Sequence, residues 1–414
     1  MSQHVGIEAI AVATPRRYLA LEDLAVARGV PPAKYTAGLG GKEMAVADPG
    51  EDTVALAATA AARLLASGEI DASKIGMLVV GTETGVDHSK AVASFVQGLL
   101  GLPRAMRTFD TQHACYGGTA ALMAASDWIA SGSAEGRTAL VVCADIARYG
   151  LRTAGEPTQG AGAVAMLVSD RPELLALDRG VSGVFSTDVH DFWRPIGRRD
   201  ALVDGHYSIG CYTAALAGAY GMWRERAERR GLFQGPTDSR PRPRSGELAR
   251  IAYHAPFCKM AKKAHVHLRG YDLDATTEEQ DAASFEQQVA PSLMLASRIG
   301  NTYTASLYLG LASLLHADAA ALAGQRIGMF SYGSGCSSEF FSGVVGPRAA
   351  EVIARARIDD VLASRTRIDM PEYERIMGLA AGAPLDEEPA PGAFRFAGFT
   401  DDKRTYVSPR AAAE

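Results

Sequence analysis

One cysteine in this 414-residue sequence stands in a context suited to nucleophilic catalysis. Cys115 follows a short extended segment, Met106–Asp110, and precedes Gly117–Ile129, in which apolar residues recur at helical spacing. At such a strand-to-helix turn, backbone N–H groups and the positive end of the helix dipole favour a thiolate. We expect Gly117 and Gly118 to leave room for a bulky substrate. The pattern predicts a nucleophile for acyl transfer.

Two further polar residues follow apolar runs in the same way. Glu83 comes just after Lys74–Gly81 among small residues, where burial would make its carboxylate a general acid or base. His254 ends the run Leu248–His254 and is suited to polarising a carbonyl or moving a proton. Each has an ordinary alternative, because loop glutamates are often solvated and histidines are often satisfied core residues. Cys115, Glu83 and His254 together form the site hypothesis.

The elements that must position these residues alternate between buried strands and helices. Thr53–Ala66 predicts an alanine-rich helix, and Arg137–Ala144, Gly162–Val168 and Arg326–Ser331 predict buried strands. This alternation is typical of a mainly parallel α/β sheet, which binds ligands at the carboxyl ends of its strands.

The second half of the chain repeats the strand–helix order of the first, which indicates an internal duplication. We predict a first half at residues 1–175, with Cys115 and Glu83, and a second at residues 176–414, with His254 and a C-terminal extension. The segment 224–250, rich in Arg, Pro and Gly, is expected to include a surface loop and contains the arginine cluster 240–244. The acidic, Pro-rich segment 384–391 is expected to be a solvated connection.

Composition narrows the class of protein. Hydrophobic residues make up 47% of the chain, enough for a large core, and the net charge of −5 argues against nucleic-acid binding. The sequence shows neither a run of about twenty apolar residues nor a basic segment followed by an apolar one at its start, so we expect no membrane span and a cytoplasmic location. Five cysteines in separate segments argue against a disulfide framework and a zinc site.

Ten short motifs, in the same order along the chain, make the stretch from Val5 to Gly346 similar to the 3-hydroxy-3-methylglutaryl-CoA synthase family of the thiolase superfamily. No single motif is specific, but the ordered set is. The motifs are Lys42–Val46, Thr82–Asp87, Ala114–Thr119, Ala147–Gly150, Gly155–Ala165, Asp191–Pro195, Val203–Gly205, His254–Met260, Gly300–Thr304 and Ser331–Gly335.

The resemblance implies a thiolase-like fold, with duplicated βαβαβαββ halves in α-β-α-β-α layers, and a role for each site residue. Cys115 would take an acetyl group from a thioester donor. Glu83 would remove a proton from that acetyl group, and the enolate would attack the β-carbonyl of a 3-ketoacyl thioester held by His254. Hydrolysis would then release a 3-hydroxy-3-methylglutaryl thioester.

The resemblance also implies a supporting set around the acceptor and its oxyanions. That set is Asn301, Tyr149, Ser331, Gly333, Ser334 and Asp204, with the backbone amides of Cys115 and Gly333–Ser334 as oxyanion donors. Lys259, Lys262 and Lys263 match a basic group near a pantetheine entrance, with a solvated helix face as the alternative. No motif implies a metal, nicotinamide or pyridoxal phosphate, so we expect no cofactor.

The family has two branches that differ in the carrier of the acyl groups. The mevalonate branch uses acetyl-CoA and acetoacetyl-CoA, whereas the polyketide β-branching branch uses acyl carrier proteins. Gly333–Gly343 and Tyr253–Phe257 resemble the β-branching branch, while Asp191–Pro195 and Lys259–Lys263 fit both. The sequence therefore favours β-branching with carrier-protein partners, with CoA thioesters as the alternative. Analogy with the family implies a homodimer.

Three other interpretations compete with this one. A ketosynthase of the same superfamily would share the arrangement of Cys115, His254 and Asn301, but decarboxylation would make Glu83 unnecessary. A thiolase would need a second catalytic cysteine, and Cys336 lies near that position without the surrounding glycine-rich pattern. A catalytically silent scaffold for carrier proteins would have no use for Cys115, Glu83 and His254 together.

Overall fold

The computed structural model describes residues 4–68, 70–233, 245–273, 275–380, 383 and 392–409. Its strands are β1 (Gly6–Ala13), β2 (Arg17–Ala20), β3 (Glu43–Val46), β4 (Ile75–Gly81), β5 (Arg107–Thr111), β6 (Thr138–Ala147), β7 (Gly160–Ser169), β8 (Leu175–Leu177), β9 (Gly183–Ser186), β10 (Phe192–Trp193), β11 (Leu202–Val203), β12 (Arg250–Tyr253), β13 (Arg326–Gly333), β14 (Ser337–Val345), β15 (Thr366–Arg367), β16 (Arg395–Thr400) and β17 (Lys403–Val407).

Helices connect and cover these strands. They are α1 (Leu21–Ala27), α2 (Ala33–Thr36), α3 (Thr53–Ala66), α4 (Val92–Leu99), α5 (Gly117–Ala130), α6 (Gly205–Arg229), α7 (Cys258–Asp272), α8 (Glu278–Gln288), α9 (Met294–Ile299), α10 (Ser306–Leu322), α11 (Ala349–Arg355), α12 (Ile358–Ala363) and α13 (Met370–Gly378). Helix α3 has the bounds expected from the sequence, because Asp52 caps its first turn by accepting a hydrogen bond from the Ala55 amide (2.8 Å).

A ten-stranded sheet forms the centre of the molecule, in the order β12-β13-β14-β8-β1-β7-β6-β4-β5, with β9 paired to β14. The pairs β4–β5, β4–β6 and β12–β13 are parallel, whereas β1, β7, β8 and β14 pair with their neighbours antiparallel. The expectation of a mainly parallel sheet is therefore wrong, although the α/β class is right. Buried strands have the same apolar runs in either direction, so composition does not reveal the direction of pairing.

The two ends of this sheet repeat one arrangement of strands. In the first, β4 is parallel to β6, and β7 and β1 follow antiparallel; in the second, β12 is parallel to β13, and β14 and β8 follow antiparallel. Strands β1 and β8 pair with each other and join the two sets. The division predicted between residues 175 and 176 falls within β8, which begins at Leu175, and stays a prediction.

Helices α5 and α10 are deeply buried. They pack in the same core cluster, with residues such as Leu122 and Leu311 fully enclosed. The segment Tyr303–Leu322 is long and apolar enough to cross a membrane, contrary to the expectation that no such run exists, but 72% of its most apolar window is buried inside the fold. It is thus a core helix, which satisfies the same length and composition test.

The segment 224–250 is not a surface loop throughout. Its first residues complete α6, which ends at Arg229, and its last residue begins β12. The arginine cluster 240–244 and the segment 384–391 lie outside the described residues.

Candidate active site

Cys115 lies in the tight turn between β5 and α5. Ala114, directly before it, adopts a left-handed conformation (φ 41°) that non-glycine residues rarely occupy and that is common at functional sites. A Cβ on Gly118 would lie 2.6 Å from the Cys143 sulfur and 2.7 Å from the Thr304 carbonyl oxygen. Gly117 and Gly118 therefore let the start of α5 approach its neighbours; the expectation that they make room for substrate is corrected.

Glu83 lies two residues beyond the end of β4, and its carboxylate faces the cysteine. The Cys115 thiol donates to the Oε1 atom of Glu83 over 3.7 Å. The structure therefore brings together a sulfur and a carboxyl that are 32 positions apart in the sequence. Burial, together with the negative charge of Asp145, raises the pKa of Glu83 to about 8.

The resting state of Cys115 differs from the sequence expectation. Burial, followed by the charges of Glu83 and Asp145, raises the pKa of the Cys115 thiol well above its usual value. The turn therefore holds a neutral thiol rather than a thiolate, because burial, reinforced by the two nearby carboxyl groups, outweighs the helix end. The sulfur must lose its proton during the reaction, and Glu83 is placed to take it.

Asp145, a residue that the sequence analysis did not select, holds the Glu83 loop in place. It is fully buried in β6. Its Oδ1 atom accepts from the Thr82 hydroxyl (2.8 Å), the Glu83 amide (2.9 Å), and the amide and hydroxyl of Thr84 (3.0 and 2.7 Å). Its Oδ2 atom accepts from the amide and hydroxyl of Thr304. One carboxylate thus fixes the base loop to the start of α10.

His254 directly follows β12 in the second half of the sheet and is 3% exposed. Its amide donates to the Phe330 carbonyl (2.7 Å), and its own carbonyl accepts from the Tyr212 hydroxyl (2.8 Å). Burial lowers the pKa of the His254 side chain to about 3. The imidazole is therefore neutral near pH 7 and can act as a hydrogen-bond donor without a positive charge.

Cys115 and His254 line the same cavity, which has a volume of about 370 Å³ and mostly apolar walls. Asn301, Tyr149 and Ser334 of the predicted supporting set also line it. The other lining residues are Leu39, Ala154, Gly155, Thr158, Phe192, Val203, Gly205, Ser208, Ile209, Tyr212, Pro256, Phe257, Met260, Tyr303 and Tyr332. A cavity of this size with mostly apolar walls suits an acyl chain on a thioester.

Three predicted residues, Ser331, Gly333 and Asp204, are not among the residues that line this cavity. The Ser331 hydroxyl accepts from Thr119 (2.8 Å) in the core beside α5, because side chains alternate along β13 and Tyr332 takes the cavity side. Gly333 packs against the Cys115 turn, where a Cβ would lie 2.4 Å from the His113 carbonyl oxygen. Asp204 is the exposed N-cap of α6 and accepts from the Tyr207 amide (3.2 Å).

The three lysines lie on α7, whose residue Met260 lines the cavity. All three are exposed. The Lys259 amide donates to the carbonyl of Leu39, a cavity residue (3.0 Å), so Lys259 lies close to the mouth. Lys262 instead turns towards α8, with its ammonium 5.7 Å from the centre of the Phe285 ring.

The motif Asp191–Pro195 contributes cavity contacts whose roles the sequence did not reveal. Phe192 packs edge-on against Tyr303 (5.7 Å between ring centres) and Tyr149 (6.4 Å). Asp191 is fully buried, and its carboxylate accepts from the Tyr332 hydroxyl (2.7 Å). Membership in a family motif was the available signal for both residues.

Two family models match nearly the whole chain. The model described as "Hydroxymethylglutaryl-coenzyme A synthase N terminal" matches residues 1–172, and the corresponding C-terminal model matches residues 175–283 and 267–388. The chain belongs to the hydroxymethylglutaryl-CoA synthase family. It is therefore an acyltransferase of the hydroxymethylglutaryl-CoA synthase type. The predicted family membership is confirmed.

Individual relatives of the hydroxymethylglutaryl-CoA synthase family cover the full length. The hydroxymethylglutaryl-CoA synthase of Enterococcus faecalis is 38% identical over 92% of this chain and 94% of its own length. A solved structure described as MvaS in complex with 3-hydroxy-3-methylglutaryl coenzyme A is 63% identical, covers 99% of this chain and 100% of its own, and has a TM-score of 0.95.

A second group of solved structures comes from polyketide pathways. The curacin biosynthetic pathway HMG synthase in complex with acetyl donor-ACP is 33% identical, covers 98% of this chain and 100% of its own, and has a TM-score of 0.88. The likeness to both groups confirms the predicted thiolase-like α/β fold, with its large mixed sheet and flanking helices. Both branches of the family are represented among the neighbours.

Proposed function

We propose that this enzyme condenses an acetyl group on Cys115 with the β-carbonyl of acetoacetyl-CoA and releases 3-hydroxy-3-methylglutaryl-CoA by hydrolysis. The main support for this proposal is the 3.7 Å contact between the Cys115 sulfur and the Glu83 carboxyl. Cys115 and His254 line one cavity beside this contact. Nucleophile, base and electrophilic donor are the groups that the three steps require.

The first step loads the acetyl group. The Glu83 carboxylate takes the thiol proton while the Cys115 sulfur attacks the carbonyl carbon of acetyl-CoA. The carbon–sulfur bond to CoA breaks, the CoA thiolate takes up the proton held by Glu83, and acetyl-Cys115 remains. The raised pKa of Cys115 keeps the sulfur protonated, so proton transfer to Glu83 speeds this step. Without the carboxylate, water can accept the proton and loading proceeds more slowly.

The second step forms the carbon–carbon bond. Glu83, ionised again, removes a proton from the acetyl methyl group, and the resulting enolate attacks the β-carbonyl carbon of the acceptor. His254, neutral because of its burial, would donate an N–H to the acceptor oxygen, and the protonated Glu83 would return its proton to the tertiary alkoxide. A carboxyl with a pKa of about 8 can serve in both directions near neutral pH.

The third step frees the enzyme. Water adds to the thioester carbonyl of Cys115, the sulfur leaves with one proton of that water as the free thiol, and the other proton passes to solvent. The product keeps the CoA of the acceptor and gains a free carboxylate from the former acetyl group. Only protein side chains and water take part, so the proposed reaction needs no cofactor.

The choice of CoA over a carrier protein reverses the preference drawn from the sequence. Its support is the 63% identity to the MvaS structure bound to 3-hydroxy-3-methylglutaryl coenzyme A, against 33% to the curacin enzyme. The carrier-protein reaction stays as a second candidate because Gly333–Gly343 resembles the β-branching motif. The exposed Lys259 near the mouth suits the phosphates of either carrier.

Intact-mass measurement after exposure to acetyl-CoA and, separately, to an acetylated carrier protein tests the proposal. We expect rapid loading from acetyl-CoA, no loading of Cys115→Ala, and acetylated Glu83→Gln that forms no condensation product with acetoacetyl-CoA. Loading from the carrier alone would replace CoA by the carrier-protein alternative. Acetylation of Cys115→Ala, or normal product formation by Glu83→Gln, would overturn the mechanism.

A further inference from the structure

The hairpin of β10 and β11 lies along the cavity, with Phe192 and Val203 in the lining. Its base is fixed to the second half of the sheet through Asp191. The Asp191 carboxylate accepts from the Tyr332 hydroxyl (2.7 Å) and from the Gly335 amide (2.9 Å), both at the end of β13. One end of the hairpin is thereby anchored beside the cavity.

Arg194, two residues beyond Phe192, connects this hairpin to the catalytic loop of the first half. Its guanidinium donates to the main-chain carbonyl of Glu83. This contact crosses from the second half of the chain to the loop after β4, which Asp145 also holds through the Glu83 amide (2.9 Å). The Glu83 loop is thus held between a buried carboxylate and an exposed guanidinium.

The charges that act on Glu83 differ in sign. Asp145 raises the pKa of the Glu83 carboxyl, whereas Arg194 and the hydrogen bond from Cys115 lower it. The hydroxyls of Tyr149 and Tyr303 also lie close enough to feel the charge of Glu83. Among these groups of the described residues, Arg194 supplies the positive charge.

We propose that Arg194 is a positioning residue that holds the Glu83 loop across the cavity and supplies the positive charge that keeps its carboxylate available as the base. This inference rests on the proposed function, because it assigns Arg194 to the proton-transfer step of that reaction. Arg194 acts through Glu83 and is not assigned a contact with substrate.

The test compares Arg194→Ala and Arg194→Lys with Arg198→Ala, which removes an exposed arginine from the same hairpin. The readout is the pH profile of kcat/KM for condensation of acetyl-CoA with acetoacetyl-CoA, because its acidic limb reports the ionisation of the base in the free enzyme. We expect Arg194→Ala to shift the acidic limb to higher pH by about one unit. This shift lowers kcat/KM at pH 7 by up to about tenfold. Arg194→Lys should recover most of the shift, and Arg198→Ala should leave the limb unchanged.

Ionic strength gives a second readout that a purely structural role would not move. Arg194 is exposed, so salt should screen its charge and move the wild-type limb towards that of Arg194→Ala, with little effect on the variant. An unchanged limb in Arg194→Ala, or an equal shift in Arg198→Ala, would overturn the inference. Failure of the proposed function would show differently, as wild-type protein that neither becomes acetylated nor forms product.

Discussion

Glu83 and Cys115 form a pair in which burial keeps protons on both groups. The pKa of Glu83 is about 8, and that of Cys115 lies well above its usual value. In isolation each shift would weaken a catalyst, because a protonated carboxyl is a poor base and a thiol is a poor nucleophile. In the molecules whose Glu83 is ionised, the thiol proton passes directly to the neighbouring carboxylate, and a carboxyl that titrates near neutral pH suits alternating roles as acid and base.

The raised pKa of Glu83 also predicts how pH changes stability. In the unfolded chain this carboxyl ionises above about pH 4.5, whereas in the folded protein it holds its proton until about pH 8. Its contribution to stability is therefore present below pH 4.5 and is lost as the pH rises to 8. We expect Glu83→Gln to raise Tm relative to wild type by roughly 2 °C at pH 8 and by less at pH 5.

Thermal unfolding of both proteins at the two pH values checks this expectation. Asp318→Asn is a control, because that carboxylate is paired with Arg250 (2.9 Å) away from the active site. A Glu83→Gln gain that is equal at both pH values would show that packing, rather than ionisation, causes the difference.

At this scale the sequence predicted which residues stand at strand ends, but not which way their side chains face. Cys115, Glu83 and His254 could be selected because each follows an apolar run. Ser331 and Tyr332 are adjacent in one strand, and a difference of one position decides that Tyr332 faces the cavity while Ser331 faces the core. Asp145 lies inside a strand, and its function depends on partners from two distant segments, Thr82–Thr84 and Thr304, so no local pattern marked it.

At the scale of elements, the site depends on how closely the first turn of α5 packs against the end of β4. A Cβ on Gly81, at the end of β4, would lie 2.5 Å from the Cα of Gly118. The two glycines thus allow backbone-to-backbone contact between the strand that precedes Glu83 and the helix that follows Cys115. This close approach sets the separation between sulfur and carboxyl.

Gly118→Ala is the matching prediction. The new methyl group would meet the Thr304 carbonyl oxygen at 2.7 Å and the Cys143 sulfur at 2.6 Å, and the backbone oxygen cannot move aside cheaply. We expect a loss of about 1–3 kcal/mol in the free energy of unfolding, together with slower acetylation of Cys115. Chemical denaturation and intact-mass kinetics measure the two effects.

Gly98→Ala on α4 is the control, since a Cβ there has no atom within 4 Å. Helix propensity predicts a small gain in stability at that position, of about 0.5–1 kcal/mol, with unchanged acetylation. If Gly118→Ala behaved like Gly98→Ala, the start of α5 would have more freedom than this packing allows.

The bounds of elements were more predictable than their pairing. Helix α3 and strand β13 begin where the sequence analysis placed them, because caps and apolar periodicity are local signals. The antiparallel direction of β7 was missed, since direction depends on the path of the connection rather than on the composition of the strand.

At the scale of the whole molecule, the repeated strand order explains why the chemistry is divided between the halves. Glu83 follows β4 and His254 follows β12, and these two strands occupy equivalent places in the repeat. Cys115 precedes α5 and Asn301 precedes α10, the two central buried helices. One set supplies the nucleophile and base and the other supplies the acceptor site, so neither half holds a complete active site.

The same arrangement predicts that the two halves unfold together. Strands β1 and β8 join the sets into one sheet, and a single core cluster contains Val79 and Val141 from one half with Leu311 and Phe341 from the other. We expect calorimetry to show one transition whose van't Hoff and calorimetric enthalpies agree. Gly6→Ala would place a Cβ 2.1 Å from the Leu175 carbonyl oxygen at the β1–β8 junction, and should lower Tm while keeping that single transition.

Gly270→Ala is the control for that junction, because a Cβ there, on an outer helix, has no atom within 4 Å. Its Tm should stay within about 1 °C of wild type. Two separate transitions in the wild type, or a Gly6→Ala thermogram in which only one of two peaks moves, would mean that the halves are independent folding units. The catalytic geometry would then depend on their docking, and activity should be lost before the second peak; with a shared core, activity and structure are expected to disappear in the same temperature interval.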